Sequence, residues 1–236
     1  MISTLRVLLF FAACGGISWP CLAQIHDHVT RIGVLAFRGS EKGIQRWALT
    51  ADYLSRSCPG YKFEILPLTL EQMTVAARGG AVDFILTNPG NYVALEAQFG
   101  ITRIATLKSP KTTAEGNVFG AVVFVRADRT DIQSLSDLHG KRFMAVGRQA
   151  FGGFQMAWRK LKSAGLDPFG DFAELRFGGF PQDRIAMAVL SGDVDAGTLR
   201  TGVLEDMVSE GRISANEVRV LDQQRCGCRP LKSSLQ

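Results

Sequence analysis

Two short segments of this chain share one pattern, in which a buried-looking strand ends in polar or small residues where a helix should begin. They are residues 82–90 and 192–201, about a hundred residues apart. The first amide groups of a helix have no intrahelical acceptor, so a junction of this kind suits an anion. Because the junction occurs twice, each time after an amphipathic helix, we predict two α/β lobes that share a ligand cleft.

Strands and helices alternate through most of the chain. Apolar periodicity and turn residues predict strands at 30–37, 61–68, 82–86, 101–108, 118–126, 142–146, 172–177, 194–199 and 218–221, and helices at 43–56, 70–78, 89–99, 152–164, 181–190 and 202–211. Thr69 and Gln72 have the spacing of a capping box at the start of the second helix. The alternation predicts an α/β fold of parallel-type sheets with helices on both faces.

The composition is that of an ordinary globular protein, with 46% apolar and 21% charged residues. The formal net charge is +5, and the basic residues are scattered without a long run. This distribution argues against nucleic acid as a partner and favours the approach of a small anionic ligand.

The first 23 residues have the pattern of an export signal. Arg6 provides the positive charge, an apolar stretch follows, and Ala23 completes a small-residue cleavage site before Gln24. A membrane anchor is the alternative, but the apolar stretch is interrupted by glycine and proline and is shorter than a span requires. A lipoprotein cleavage box ending at Cys14 is a weaker match. We therefore expect a periplasmic protein whose signal peptide is removed near Ala23.

Cysteine and histidine indicate neither a metal site nor a cofactor. Cleavage of the leader leaves Cys58, Cys226 and Cys228, of which Cys58 with one of the other two is the plausible long-range disulfide. No histidine neighbours these cysteines, so they make a poor metal site. His26 and His28 flank Asp27 in a predicted solvated tail, for which metal capture is a remote alternative.

Candidate ligand-binding residues follow from the rule that ligands of open α/β sheets bind beyond the carboxyl ends of the strands. Arg38 and Arg200 fall in such loops of different lobes, and two guanidinium groups facing one cleft would bind an oxyanion. Phe37 is a candidate cleft wall. The full set of candidates is Arg38, Gly39, Ser40, Asn88, Gly90, Phe119, Gly120, Gln149, Phe151, Gly152, Gly153, Arg200 and Thr201. For Asn88 and Thr201, a helix-capping role is an equal alternative.

No arrangement of residues predicts catalysis. Asp193 and Asp195 are alternate residues beside a predicted strand, so their side chains are expected to point in opposite directions, and Asp193 is interpreted as a turn residue. No serine–histidine–aspartate order is present, and no cysteine falls in the candidate loops. An enzyme on the same two-lobed fold is a remote alternative.

Several segments resemble the phosphonate-type periplasmic solute-binding proteins, and more closely the extracytoplasmic sensor domains of tetrathionate-type sensor histidine kinases. The similar segments are 33–36, 38–41, 87–90, 119–126, 134–142, 152–153, 192–197 and 197–201. The resemblance implies a type II periplasmic-binding-protein fold with a first lobe at 24–117, a second lobe at 118–225 and a shortened return segment at 226–236. It implies capture of a phosphonate-like or sulfur oxyanion.

The resemblance leaves the partner of this expected binding protein open. The closed form would be presented either to the membrane permease of an ABC transporter or to a sensor histidine kinase. The family pattern continues with elements that complete the first lobe, which this sequence does not contain in recognisable form. A truncated, non-functional sensor is therefore a third alternative, and a poorly packed first lobe is expected.

Overall fold

A computed structural model describes residues 28–107 and 118–227 of the chain. Its strands are β1 His28–Leu35, β2 Tyr61–Leu68, β3 Phe84–Leu86, β4 Val118–Arg126, β5 Arg142–Ala145, β6 Glu174–Phe177, β7 Ala196–Arg200 and β8 Val218–Gly227. Its α-helices are α1 Ser40–Ser57, α2 Leu70–Gly79, α3 Pro89–Phe99, α4 Met156–Ser163, α5 Asp183–Leu190 and α6 Val203–Ser209. The predicted export signal lies outside the described residues.

The first lobe is a three-stranded parallel sheet of order β2-β1-β3 with helices α1 to α3. Val34 and Met73 are fully buried in it, and the predicted capping box forms at Thr69 and Gln72. Other large apolar side chains of this lobe, among them Leu49 and Val75, are exposed. The apolar core of this lobe is therefore small.

The second lobe is a five-stranded sheet of order β6-β5-β7-β4-β8. Strands β5, β6 and β7 are parallel, whereas β4 runs antiparallel to both β7 and β8. Buried clusters pack on both faces of the sheet, around Phe124 and Ile185 on one face and around Phe143 and Phe154 on the other. This lobe contains most of the core.

The antiparallel arrangement places the start of β4 beside the end of β7, with Ala121 opposite Arg200. The carboxyl ends of β5 and β7 and the entry to β4 therefore lie at one edge of the second sheet. The ends of β1 and β3 lie at the facing edge of the first lobe. These two edges form the interlobe cleft.

Three predicted elements differ from the observed ones by more than a shift of their ends by a few residues. Residues 101–107 form no strand, since they pair with no strand among the described residues, and Ile104 is strongly exposed. The predicted helix at 152–164 begins as a π-helical turn, Phe151–Gln155, before it continues as α4. Strand β8 is longer than predicted, because its pairing with β4 continues as far as Gly227, which lies opposite Val118. Residues 228–236 of the predicted return segment lie outside the described residues.

None of the helices within residues 28–107 and 118–227 combines the length and the apolar character that a membrane crossing requires.

Candidate functional site

The guanidinium group of Arg200 lies between two aromatic rings, one from each side of the cleft. Its central carbon is 4.2 Å from the ring centroid of Phe37, in the first lobe, and 5.0 Å from that of Phe119, at the entry to β4. The Nε atom of Arg200 is buried and donates no hydrogen bond to any described residue. A buried donor without an acceptor is costly unless a further group satisfies it.

Burial has the largest effect on the ionisation of Arg200. Burial, together with the nearby positive charge of Arg46, lowers the pKa of Arg200 to about 10, and the charge of Asp206 acts in the opposite direction. The guanidinium carbon of Arg46 lies 5.8 Å from the centroid of the Phe37 ring. An anion bound at Arg200 would stabilise the cationic form, because opposite charge favours ionisation.

The ring of Phe119 also stacks on the ring of Phe151, with 5.9 Å between the two centroids. Gly90, at the start of α3, abuts Phe151: a Cβ atom placed on Gly90 would lie 2.8 Å from Cδ2 of that ring. Gly152 approaches Gly120 equally closely, since a Cβ there would lie 2.8 Å from the Gly120 carbonyl oxygen. The glycines therefore permit the close approach of the lobes and of the π-helical turn.

Two polar residues fix the ends of β4 and β7. The backbone N–H of Thr201 donates to the carbonyl of Gly120 at 3.0 Å, and the Thr201 hydroxyl accepts from the Gly120 N–H at 3.2 Å. Gln182 accepts from the Arg200 backbone N–H at 3.0 Å, and its own backbone N–H donates across the cleft to the carbonyl of Phe37 at 2.9 Å. Sequence reasoning missed Gln182, which has no motif to mark it.

Arg38 has a different environment from Arg200. Its Nε and Nη2 donate to the two carboxylate oxygens of Asp183 at 2.9 and 2.8 Å, and Nη1 and Nη2 donate to Glu210 at 2.7 and 2.9 Å. Asp183 also pairs with Arg212, and Glu210 with Lys42. We name these five residues the interlobe cluster. The sequence predicted that Arg38 and Arg200 would face one oxyanion, whereas here the donors of Arg38 are directed to carboxylates of the second lobe.

Ion pairing holds Glu210 in its ionised form. Hydrogen bonds from Arg38 and Lys42 lower the pKa of Glu210 to about 2. Glu210 is therefore ionised throughout the physiological pH range.

Two open cavities flank Arg38 at the boundary between the lobes. One, of about 520 Å³, lies between the start of α1 and the start of α5, and Gly39 and Ser40 line it. The other, of about 340 Å³, lies between α1 and α6, and Phe37 and Arg46 line it. Arg200 lines neither cavity, since the aromatic rings surround it.

The remaining predicted residues divide into capping and exposed positions. The Asn88 side chain accepts from the Asn91 backbone N–H at 2.9 Å and so caps α3. Gly39 has φ 97° at the N-terminal cap of α1, a conformation that favours glycine. Ser40 and Gln149 are exposed. Gly153 packs beneath the cleft, against Val146.

The acidic pair beside β7 has a structural arrangement. Asp193 pairs with Arg176, and Asp195 accepts hydrogen bonds from Arg142 and Arg129. Among the described side chains, Cys58 is in no disulfide, and no group of three histidine, cysteine or carboxylate residues has metal-binding geometry. Cys228 and the Cys226 side chain lie outside what the structure describes, so their predicted pairing stays a prediction.

Comparisons with known proteins agree with this architecture. Residues 32–225 match the family model described as ABC transporter, phosphonate, periplasmic substrate-binding protein. A binding protein component of an ABC phosphonate transporter from Pseudomonas aeruginosa has the same fold, with a TM-score of 0.73 at 15% identity over 84% of this chain and 65% of that one. PhnD1 from Prochlorococcus marinus, solved with methylphosphonate, gives a TM-score of 0.64 at 17% identity over 84% of this chain and 72% of that one.

A curated relative is the tetrathionate sensor histidine kinase TtrS of Salmonella typhimurium. It is 38% identical over 215 residues, which are 91% of this chain and 35% of that protein. The chain thus spans about a third of the length of this relative. From the family match over most of its length and the two-lobed type II architecture, the chain belongs to the phosphonate-binding family of periplasmic substrate-binding proteins.

Proposed function

We propose that this protein binds a small oxyanion between its two lobes, with Arg200 as the principal ligand-binding residue. The observation that carries the proposal is the buried Arg200 guanidinium, whose Nε has no hydrogen-bond acceptor among the described residues. Two aromatic rings exclude water from it, which strengthens an ionic hydrogen bond to a bound anion.

Binding at Arg200 requires the lobes to move. Neither cavity reaches Arg200, and the ring of Phe37 covers it from the first lobe. The ligand therefore enters an open form and is enclosed when the lobes close, the hinge motion of periplasmic binding proteins. The backbone amides of Phe151 and Gly152, at the start of the π-helical turn, would provide additional donors.

Sulfur oxyanions are the first class to test. The chain is 38% identical to the tetrathionate sensor kinase, whereas its identity to the two phosphonate-transporter structures is 15% and 17%. Phosphonates, phosphite and phosphate form the second class, on the strength of the family match. The role is binding and presentation to a membrane partner, not catalysis.

Isothermal titration calorimetry of the exported protein with tetrathionate, thiosulfate, methylphosphonate, phosphite and phosphate tests the proposal. A charge-assisted hydrogen bond contributes about 1.5–3 kcal/mol, so Arg200→Met should weaken binding by about one to two orders of magnitude. Arg148→Met is a matched control, since Arg148 also stacks on two phenylalanine rings, at 4.4 and 5.9 Å, but both rings belong to its own lobe. Failure of the whole panel to bind, or equal binding by Arg200→Met, would contradict the proposal.

A second candidate is that the chain is the sensing part of a histidine kinase system and delivers no solute to a permease. The match to TtrS over 91% of this chain favours it. The two partners are distinguished by the genes that flank this one, and then by co-purification with the permease or the kinase that they encode.

A further inference from the structure

Arg38 joins the two lobes through paired hydrogen bonds. Arg38 and Lys42 belong to the first lobe, at the start of α1, whereas Asp183, Glu210 and Arg212 belong to the second. Arg38 donates twice to Asp183 and twice to Glu210, all between 2.7 and 2.9 Å. Two-pronged contacts of arginine with carboxylates are among the stronger polar contacts in proteins.

Burial distinguishes this cluster from an ordinary surface ion pair. The side chains of Arg38 and Asp183 are 7% and 6% exposed. Removal of one partner from a buried, hydrogen-bonded pair is costly, whereas exposed pairs contribute little. Every hydrogen bond and ion pair of the cluster joins two protein groups.

The neighbouring backbone forms a second connection between the lobes. Gln182, next to Asp183, donates its N–H to the carbonyl of Phe37, next to Arg38, at 2.9 Å. The same approach places the Phe37 ring on Arg200. One movement therefore forms the ion pairs, forms this hydrogen bond and covers the candidate ligand-binding arginine.

We propose that the interlobe cluster holds the two lobes closed in the absence of ligand and offsets the cost of burying Arg200 without an anion. Arg38 is then a positioning residue and not a ligand contact. A ligand can shift the equilibrium between open and closed forms only by its preference for the closed form. The fraction of molecules that the cluster already holds closed therefore limits the further closure that a ligand can produce. The proposal rests on the proposed function only in that closure of the lobes is taken to enclose a ligand at Arg200. The cluster itself contains no ligand.

Hydrogen exchange of the Gln182 amide, followed by NMR without ligand, reports closure directly, because its acceptor lies across the cleft. Arg38→Met should raise the exchange rate roughly tenfold or more, as expected for the loss of charge-assisted hydrogen bonds. The Gly178 amide, which donates to Ala145 within the second lobe at 2.8 Å, should be unaffected. Arg212 keeps Asp183 paired in this variant, so the second lobe retains its fold.

Arg176→Met is the matched control variant. Arg176 also pairs with two carboxylates, Glu174 and Asp193, but all three residues lie in the second lobe. This variant should leave the Gln182 exchange rate unchanged. Glu210→Gln is a milder variant at a more exposed carboxylate and should give a smaller increase than Arg38→Met.

Rapid exchange of the Gln182 amide in the wild-type protein would overturn the proposal, as would equal rates in wild type and both cluster variants. Neither outcome bears on whether an oxyanion binds at Arg200. Conversely, a protected Gln182 amide in a protein that binds none of the tested anions would support the closed cluster and contradict the proposed ligand class.

Discussion

Phe37 of the first lobe and Arg200 of the second are in cation–π contact across the cleft, with 4.2 Å between the guanidinium carbon and the ring centroid. The contact exists only when the lobes are closed, since the two residues belong to different lobes. It removes water from Arg200 without supplying an acceptor for Nε. The closed cleft therefore contains a cation that an anionic ligand would stabilise.

Substitution of Phe37 should weaken ligand binding without unfolding the protein. Phe37→Leu removes a cation–π contact of about 0.5–2 kcal/mol, and we expect the affinity for the tightest anion of the panel to fall by a factor of about 2 to 30. Phe177→Leu is the control, because Phe177 stacks with Arg148 of its own lobe. Calorimetric titration of the two variants provides the comparison, and equal affinities would exclude a contribution from the Phe37 ring.

Gly90→Ala should weaken ligand binding while leaving the free energy of unfolding unchanged or slightly raised. Alanine is the better helix former, but its Cβ would lie 2.8 to 3.1 Å from three atoms of Phe151, so the closed form is disfavoured. Gly79→Ala, at the end of α2 with nothing within 4 Å of the added Cβ, is the control. Urea unfolding and ligand titration separate the two effects. If the free energy of unfolding fell by as much as the free energy of binding, general destabilisation and not disfavoured closure would explain the weaker binding.

The sequence predicted the fold class and most elements because the apolar periodicity matches the buried faces. Strand β2 and helix α3 have the predicted bounds. The strand predicted at 101–108 is wrong over the described residues 101–107, since a strand requires a neighbour as well as a suitable sequence. Local patterns do not specify that neighbour.

Part of the candidate site could be predicted by the same reasoning, because strand ends meet at one edge of a sheet. That rule predicts that Arg200, Phe119 and Phe151 lie at the same edge. In the structure, the ring of Phe119 contacts both Arg200 and Phe151. It could not predict the partners of Arg38, since Asp183 and Glu210 lie about 145 and 172 positions further along the chain and approach only when the lobes close. Charge alone does not indicate which of several carboxylates an arginine will meet.

Gly153→Ala should destabilise the second lobe. The added Cβ would lie 2.3 Å from Cγ2 of Val146 and 2.7 Å from its Cβ, in a fully buried position. Overpacking of this kind costs about 1–3 kcal/mol. The double variant Gly153→Ala with Val146→Ala removes the contact with Cγ2 and keeps the contact with Cβ, so it should recover part of the loss in urea unfolding. Additive destabilisation by the two substitutions would show that the contact with Val146 is not the cause.

Asp195 should make the stability of the second lobe sensitive to acid. Its carboxylate accepts hydrogen bonds from Arg142 at 2.9 to 3.1 Å and from Arg129 at 2.7 Å, and these hold its pKa far below the ordinary value of 3.8. Because the folded pKa is lowered, the stabilisation is complete above the ordinary pKa and is lost as the pH falls below it. Asp195→Asn should therefore cost about 1.5–3 kcal/mol at pH 7.

The same variant should lose less stability than the wild type on acidification, so the difference between the two should narrow as the pH falls from about 4 towards 2. Urea unfolding of both proteins at pH 7, 4, 3 and 2 gives the comparison. Asp52→Asn, at an exposed position on α1, is the control and should follow the wild-type curve. A constant difference between Asp195→Asn and wild type across this range would mean that the amide loses packing or backbone contacts and that ionisation of Asp195 is not what stabilises the lobe.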